Sequence, residues 1–265
     1  MTMRYLRIYS MLMRNSMIRE MSFKANFLLW TVVELMWFSG QVLFVDVLFS
    51  HVDRVGDWSK WQMVALISTH QIIAQLFQAF FYINVTNLPE LVRTGKLDTY
   101  LTLPVDAQFT VSTKQFGLDN LGNALIGGAI LLYSIKQLGV TPNIAQVGLY
   151  LTAVMLGVCI HYSVMFSLSS LCFWIIRAQG LVYGYFNLFN IGRYPDTVYK
   201  GVFKAFFSWI VPVIIVANIP ARIITRTADS AAMGMLQMTA ATMLVLIFCR
   251  LIWLQGLKRY ASASS

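Results

Sequence analysis

The chain alternates between long apolar stretches and short polar segments. Five stretches carry about 20 or more mostly apolar residues each, the length that a helix needs to cross the hydrocarbon core of a bilayer. They lie at about 27–49, 62–83, 118–138, 147–176 and 233–254. A GVTPN turn at 139–143 separates the third stretch from the fourth. The pattern predicts an all-α integral membrane protein with at least five transmembrane helices.

A sixth span is expected between residues 177 and 228, where the pattern supports two interpretations. In the first, residues 203–224 form one span that Pro212 and Pro220 interrupt. In the second, residues 181–191 form a short span, and residues 193–228 form a broken, re-entrant segment on the far side of the membrane. Both interpretations give six transmembrane helices.

The composition agrees with a membrane protein, because 58% of the 265 residues are hydrophobic and only 12% are charged, against about 25% in soluble domains. The net charge of +9 comes without an aromatic-interleaved basic patch, so nucleic acid is not an expected partner. Lys and Arg instead mark the cytoplasmic ends of spans. They predict a multi-pass protein of the inner (plasma) membrane with both termini in the cytoplasm, and they favour the first interpretation of residues 177–228.

The N-terminal segment carries arginines that recur at helical spacing. Arg4, Arg7 and Arg14 share one face of a helix, opposite Tyr5 and Met13. Arginines recur as far as Arg19, so the basic start is not followed directly by an uninterrupted apolar stretch, as it is in a signal peptide. The pattern predicts an amphipathic helix over residues 1–24, lying in the cytoplasmic headgroup layer and facing membrane lipids.

The polar segment at 84–115 lies between two spans and contains VRTGKLDTYLTLPVD at 92–106. A phosphate-binding loop would need the pattern GxxxxGK[ST]. Here Leu97 follows the Gly-Lys pair, and Glu90 stands at the first glycine position. This motif therefore gives the chain no ATP site of its own.

The same stretch has the marks of a short, shaped helix. Gly95 permits a left-handed turn, Asp98 suits the start of a helix, and Pro104 ends it. Leu97 and Leu101 stand four positions apart, which predicts that they share one side. The alternative is a solvated loop that joins two spans, but such a loop has no need of paired leucines.

Polar side chains inside the apolar stretches are costly unless protein or water surrounds them. Ser68, Gln71, Gln75 and Gln78 form one continuous helical face, and Glu34 lies in the middle of the first stretch with Gln41 as its expected partner. Hydrogen bonding between helices is the alternative explanation for these side chains. The candidates for a translocation pathway are Glu34, Ser68, Gln71, Gln75, Gln78, Tyr183 and Asn187.

Catalytic and metal-binding patterns are absent from the sequence. It has no HExxH, GxSxG or paired-carboxylate arrangement, and its three histidines show no ligand spacing. The three cysteines (Cys159, Cys172 and Cys249) all lie in apolar stretches without CxxC spacing, so we expect reduced, buried thiols. We therefore expect neither an enzyme nor a metal site.

Two segments resemble signatures of a known family. The stretch RTGKLDTYLTLPVD is similar to the cytosolic G-x-L-D-x-x-L-x-x-P element of type-2 ABC exporter permeases, in a subfamily of about 260 residues. The stretch RYPDTVYKGVFKAFFSWIVPVIIVANIPA, which begins with Arg193, Tyr194 and Pro195, resembles the second signature of that subfamily. The N-terminal helix, the six spans and the length fit as well.

The resemblance implies a transmembrane subunit of six helices that works as a homodimer or heterodimer with two copies of a separate ABC ATPase. ATP and Mg²⁺ would be bound by that partner, with no cofactor in this chain. The N-terminal helix would be the connecting helix of the family, and 84–115 would hold the coupling helix, with Gly95, Leu97, Asp98, Leu101 and Pro104 as its motif. By the same analogy, residues 193–228 would be re-entrant and extracytoplasmic.

The function that follows is export of an amphipathic or lipophilic solute by alternating access, powered by the partner ATPase. Two other functions stay open from the sequence. The first is a secondary transporter in which Glu34 carries a proton, although many such folds have inverted repeats and the two halves of this chain show no convincing similarity. The second is a membrane assembly protein that transports nothing.

Overall fold

The computed structural model describes residues 10, 11, 13, 14, 18, 24–175, 178–227 and 230–260, with only the backbone described at 24–27. Helices make up 81% of the structure and its described part contains no β-strand, which confirms the predicted all-α class. The amphipathic helix predicted at 1–24 lies almost wholly outside the described residues. In chain order the helices are α1 (Lys24–Phe49), α2 (Lys60–Phe77), α3 (Ile83–Thr86), α4 (Leu88–Arg93), α5 (Asp98–Leu101), α6 (Ala107–Thr113), α7 (Leu118–Gln137), α8 (Ile144–Ser170), α9 (Gln179–Phe189), α10 (Gly201–Ala205), α11 (Val213–Ile224) and α12 (Ala231–Arg259).

Five helical stretches of the described chain are long and apolar enough to cross a membrane, and they coincide with the five spans predicted from hydropathy. They are Leu28–Phe49, Lys60–Arg93, Leu118–Gln137, Ile144–Phe173 and Ala231–Arg259. The second is longer than predicted, because α2 continues through a π-helical turn (Gln78–Tyr82) into α3 and α4. The start of α8 follows from local sequence: Asn143 and Gln146 each bond the other's backbone N–H through a side-chain oxygen, at 2.8 and 3.0 Å.

The bundle is built around α2 and α8. Helix α7 packs along α2, while α11 and α12 pack along α8, and α1 lies at the outside against α2 and α7. The centre is filled by large side chains that are fully buried, among them Phe77, Ile160, Met165 and Phe166. Apolar residues on the outer faces of α1, α7 and α12 stay exposed, as expected for helices in contact with lipid.

Long-range hydrogen bonds identify the two ends of the bundle. At the end that carries residues 84–115, which we call the proximal end, Arg250 of α12 binds Asp106 at 2.7 Å. At the opposite, distal end, Arg222 of α11 binds Asp57, in the loop between α1 and α2, at 2.7 Å. Arg226, just after α11, donates to Gln146 in the first turn of α8 at 2.9 Å. The loops 50–59 and 138–143 and the end of α11 therefore all lie at the distal end.

The segment between α9 and α12 contains two helical arms. Residues 201–210 and 213–224 meet at an angle of 85°, so the interruption predicted at Pro212 is present, and an interrupted span and a re-entrant segment both fit this bend. The break falls at Val211 and Pro212, because proline has no N–H to continue the helix. Lys204 in the first arm and Arg222 in the second both bind Asp196. The first arm therefore starts, and the second arm ends, at the distal end, so the two arms form a hairpin.

Helix α9 has 11 residues (Gln179–Phe189), which rise about 16 Å, roughly half of the hydrocarbon core. It runs from the proximal end toward the distal end, since Phe186 packs against Tyr82 while Phe189 packs against His70, earlier on α2. The described beginning of α1 and the end of α12 lie at the same end of the bundle, because α1 ends at the distal loop 50–59 and Arg250 of α12 binds Asp106 at the proximal end. Two of the basic residues that favoured the first interpretation of this region, Lys204 and Arg222, have their charges neutralised by Asp57 and Asp196.

Candidate functional site

The segment 84–115 is closed at its base by one buried amide. The Asn84 side chain donates to the carbonyl of Gln115 at 2.8 Å and accepts from its N–H at 2.9 Å. These two hydrogen bonds join the two ends of the segment. Asn84 also donates to the Phe80 carbonyl, at 3.1 Å. Nearby, Ser169 of α8 donates to the Val85 carbonyl at 2.6 Å. These bonds fix the segment to the transmembrane bundle.

The middle of the segment turns at Gly95, whose φ of +70° is the left-handed conformation that the sequence predicted. Across this turn the Leu97 N–H donates to the Leu91 carbonyl at 3.1 Å. Leu97 is fully buried in the main core, whereas Leu101 is 39% exposed. The prediction that Leu97 and Leu101 present a common surface is therefore wrong, because the turn folds Leu97 back onto the protein's own core.

The outer surface of the segment is polar with an apolar centre. Leu101 and Leu103 are 39% and 42% exposed, and Pro104 beside them is exposed as well. Arg93 and Glu90 form an ion pair along α4 at 2.7 Å. We call this surface the tip, and it consists of Glu90, Arg93, Thr94, Lys96, Thr99, Leu101, Thr102, Leu103 and Pro104.

The far side of the segment is anchored to α12. Asp106 caps α6 by accepting from the Phe109 N–H at 3.0 Å, and Arg250 grips its two carboxylate oxygens at 2.7 and 3.3 Å. Burial raises the pKa of the Asp106 carboxyl, but the Arg250 guanidinium and the backbone N–H groups outweigh it and hold the pKa below its ordinary value. Asp98 of the predicted motif faces Tyr260, which follows α12. Burial, as the larger cause, and the Asp98 carboxylate together raise the pKa of the Tyr260 phenol to about 12.

Inside the membrane, the polar face predicted on α2 is present and packs against α7. Ser68, Gln71 and Gln75 are all buried. Gly127 of α7 lies against them, since a Cβ added there would be 3.5 Å from the Ser68 carbonyl and 3.6 Å from the Gln71 side chain. Asn123, one turn earlier on α7, is equally buried. The sequence analysis missed Asn123, although Asp119, Asn123 and Gly127 recur at i, i+4 and i+8.

Several of these buried atoms find no hydrogen-bond partner within the described part of the chain. They are the Ser68 hydroxyl, the side-chain carbonyl oxygen of Gln75, both polar atoms of the Asn123 side-chain amide and the Nε of Arg193. Buried polar groups are normally paired, and an unpaired one is costly in a low-dielectric interior. The face between α2 and α7 therefore carries unused hydrogen-bonding capacity in the middle of the membrane.

Glu34 of α1 joins this polar face. Gln75 donates to its carboxylate at 3.1 Å, and Gln71 also hydrogen-bonds it. The expected partner Gln41 instead donates to the Trp37 carbonyl, because it lies two turns, about 10 Å, along α1 from Glu34. Arg193 interacts electrostatically with the same carboxylate. Glu34 opens on its outer side to a cleft of about 540 Å³. A carboxylate, amides and a guanidinium thus converge at mid-depth.

The other pathway candidates lie elsewhere. Gln78 is half-buried in the π-helical turn at the end of α2. Tyr183 and Asn187 are exposed on the outer face of α9, where Asn187 donates to the Tyr183 carbonyl at 3.1 Å. The inner face of α9 carries Tyr185 and Phe189, which are buried. The structure therefore brings Glu34, Ser68, Gln71 and Gln75 together and leaves Tyr183 and Asn187 on a separate surface.

Two histidines that looked scattered in the sequence meet in the core. The rings of His70 and His161 lie on Phe189, at 4.6 and 3.7 Å between centroids. One His70 nitrogen bonds the Phe189 carbonyl at 3.1 Å, and one His161 nitrogen bonds the Tyr185 hydroxyl at 3.2 Å. The described residues include no cluster of His, Cys, Asp and Glu that could hold a metal ion. These histidines belong to an aromatic core.

The RYP motif leads into a charged network at the distal end. Arg193 turns inward toward Glu34, Tyr194 is exposed, and Pro195 is buried. Directly after them, Asp196 accepts from Arg222 at 2.7 Å and from Lys204 at 3.0 Å. Burial raises the pKa of the Asp196 carboxyl, but these two cations more than compensate and lower it. Three stretches of the chain are thereby joined.

Arg222 is the centre of this network. It binds both oxygens of Asp57, at 2.7 and 3.2 Å, and lies 4.7 Å above the ring of buried Trp58. The hydrogen bond from Arg222 holds the pKa of the Asp57 carboxyl below its ordinary value. Asn218, one turn earlier on α11, donates to the Tyr194 carbonyl and accepts from the Asp196 N–H. The hairpin is therefore bound both to the RYP motif and to the loop between α1 and α2.

Comparison with known proteins agrees with this arrangement. Residues 35–264 match the model of a family described as ABC-2 family transporter protein. No curated protein matches the chain significantly. The match begins within the first span and covers the other spans, the segment 84–115 and the hairpin. Proteins of this family are transmembrane components that work with an ABC ATPase and are not ATPases themselves. The chain belongs to the ABC-2 transporter family and is a multi-pass transmembrane permease component of an ABC transporter.

Proposed function

We propose that the chain is the permease of an ATP-driven exporter and that its tip receives the motion of a separate ABC ATPase. A dimer with a second permease and two ATPase copies would complete the transporter, with ATP and Mg²⁺ bound by the ATPases. The proximal end would lie in the cytoplasm, with both termini, and the distal end outside the cell. The observation that carries the proposal is a tip that is exposed but fixed at its base.

A part that transmits motion must be accessible to its driver and stiff toward its load. The tip meets the first requirement, because Leu101 and Leu103 expose apolar surface between charged residues. Exposed apolar residues rimmed by polar ones are typical of a surface that binds a protein partner. Gly95, Leu97 and Asp98 then act as shaping residues, which hold the turn, while Leu101, Leu103 and Pro104 make the contact.

The base meets the second requirement. Asn84 joins both ends of the segment to each other, and Arg250 joins Asp106 to α12. A push on the tip is therefore passed to α2, α7 and α12 together. The cluster around Glu34, between α1, α2 and α7, lies in the path of that motion. Its unused hydrogen-bonding capacity supports a role in passing an amphipathic solute, with its polar part at the cluster and its apolar part toward lipid.

At the distal end, the network around Arg222 would have to reorganise whenever the permease opens outward. Export would then proceed by alternating access, with the network closed in the conformation described here. Of the alternatives, membership in the ABC-2 family weighs against a proton-coupled secondary transporter, and Glu34 is then a polar contact of the pathway.

A pull-down tests the proposal at the tip. The affinity-tagged chain is expected to co-purify vanadate-sensitive ATPase activity from detergent-solubilised membranes. Replacing Leu101 and Leu103 by Glu should lower that activity at least tenfold, because two charges would be buried at the contact. Val52→Glu is the matched control, since Val52 is 40% exposed but lies in the loop at the distal end. Equal ATPase recovery from both variants would sink the proposal.

A further inference from the structure

Helices α7 and α8 are connected by a tight turn but hardly touch each other. Each packs along α2 instead, so a groove of about 960 Å³ is left between them. Its floor is formed by Ile72 and Leu76 of α2. Its walls are almost entirely apolar and include exposed side chains such as Leu125 and Met155. The groove faces the surroundings of the bundle and plays no part in the proposed function.

The dimensions of the groove indicate what fits into it. It extends from Leu121 to Ile135 on α7, about 21 Å at the rise of an α-helix. A single extended hydrocarbon chain can lie along a groove of this length.

Two cations stand at the distal mouth of the groove. Lys136 follows Ile135 of the groove wall, and Arg226 stands two residues after Ile224, also in the wall. Both side chains are exposed. Arg226 has a φ of +57°, which is costly for a residue with a Cβ. Its hydrogen bond to Gln146, beside the groove wall, holds it at this position.

We propose that the groove binds an anionic phospholipid, with one acyl chain along α7 and α8 and the phosphate between Arg226 and Lys136. The apolar walls match the acyl chain, and the two cations match the charge of the headgroup. A neutral lipid would use only the first of these features. The site is distinct from the cluster around Glu34, so it is a lipid-binding site and not the translocation pathway.

Two glycines of α7 provide a matched pair of variants. Gly128 lines the groove and Gly122 does not, while a Cβ at either position meets nothing within 4 Å. Gly128→Leu therefore fills the groove without disturbing the packing, and Gly122→Leu adds the same side chain to the same helix elsewhere. Ala124→Phe fills the groove from a second position and guards against a folding defect peculiar to Gly128→Leu.

The probe is phosphatidylglycerol with a photoactivatable diazirine in one acyl chain, in nanodiscs that contain the full chain. Mass spectrometry should find the crosslink in peptides of α7 and α8. Labelling should fall at least fivefold in Gly128→Leu and Ala124→Phe and stay unchanged in Gly122→Leu. Equal labelling of all variants overturns the proposal. It is also overturned if Leu125→Cys crosslinks two copies of the chain and lipid labelling is lost, because a second copy then occupies the groove.

A second measurement tests the headgroup. In the double variant Arg226→Asn and Lys136→Gln, the preference for labelled phosphatidylglycerol over labelled phosphatidylcholine should fall about fivefold for each cation removed. Asparagine is chosen because it tolerates a positive φ. If wild type shows no preference between the two lipids, or the double variant keeps it, the phosphate is not bound by these residues and the proposal fails.

Discussion

Asn84 offers a sharp test of how firmly the segment 84–115 is fixed. Asn84→Ala removes three hydrogen bonds, two to the backbone of Gln115 and one to Phe80. At a net value of about 1 kcal/mol each, the loss amounts to about 3 kcal/mol. For a chain of this size that corresponds to a fall in Tm of roughly 6–12 °C.

The assay is thermal unfolding in detergent, followed by the reaction of a fluorogenic thiol dye with Cys249, which is 1% exposed in the folded chain. Asn187→Ala is the control: Asn187 is exposed and makes one hydrogen bond within α9, so its loss should cost about 0.5 kcal/mol or less. The reasoning is refuted if both variants lower the Tm by the same amount, because the base of the segment would then not depend on Asn84.

Two further variants probe the ends of the molecule. The pKa of Asp57 is lowered in the folded chain, so its carboxylate adds stability above its ordinary pKa and loses it as the pH falls through the lowered value. The Tm difference between wild type and Asp57→Asn at pH 7 should therefore close below about pH 4, and a difference independent of pH would contradict the role of Arg222. Gly95→Ala places a Cβ at a φ of +70° and should cost about 1–2 kcal/mol, measured by the same thermal assay. The control is Gly40→Ala, within α1 and in open space, whose stability should stay level or rise by up to about 1 kcal/mol. If the two variants lose the same stability, the positive φ at Gly95 does not explain the loss.

Features set by short stretches of sequence were predictable. The five long spans follow from hydropathy, because a bilayer imposes a length and a composition on each helix. The turn at Gly95 follows from the conformational freedom of glycine. The polar face Ser68–Gln71–Gln75 follows from helical spacing, which needs no knowledge of the neighbouring helix. In each case a local rule is sufficient.

Features that depend on distant parts of the chain were not predictable. Spacing relates Leu97 to Leu101, but only the fold shows that the core reaches Leu97 and not Leu101. The partner of Glu34 lies on another helix, at Gln75, and not on its own. Counting of basic residues could not show that Arg222 finds its counter-charges in two other stretches of the chain.

The 85° bend before α11 has a consequence for the electric field inside the bundle. Helix α11 begins at mid-depth, because Gly192 beside His70 lies so close to the Val213 carbonyl that a Cβ would be 2.6 Å from that oxygen. The N-terminus of a helix carries about half a positive elementary charge, in addition to the Arg193 guanidinium, whose charge is partly offset by the Glu34 carboxylate. A positive potential at the middle of the membrane raises the barrier to protons and small cations. We therefore expect a permease built in this way to resist leakage of cations across its membrane while it moves a larger solute.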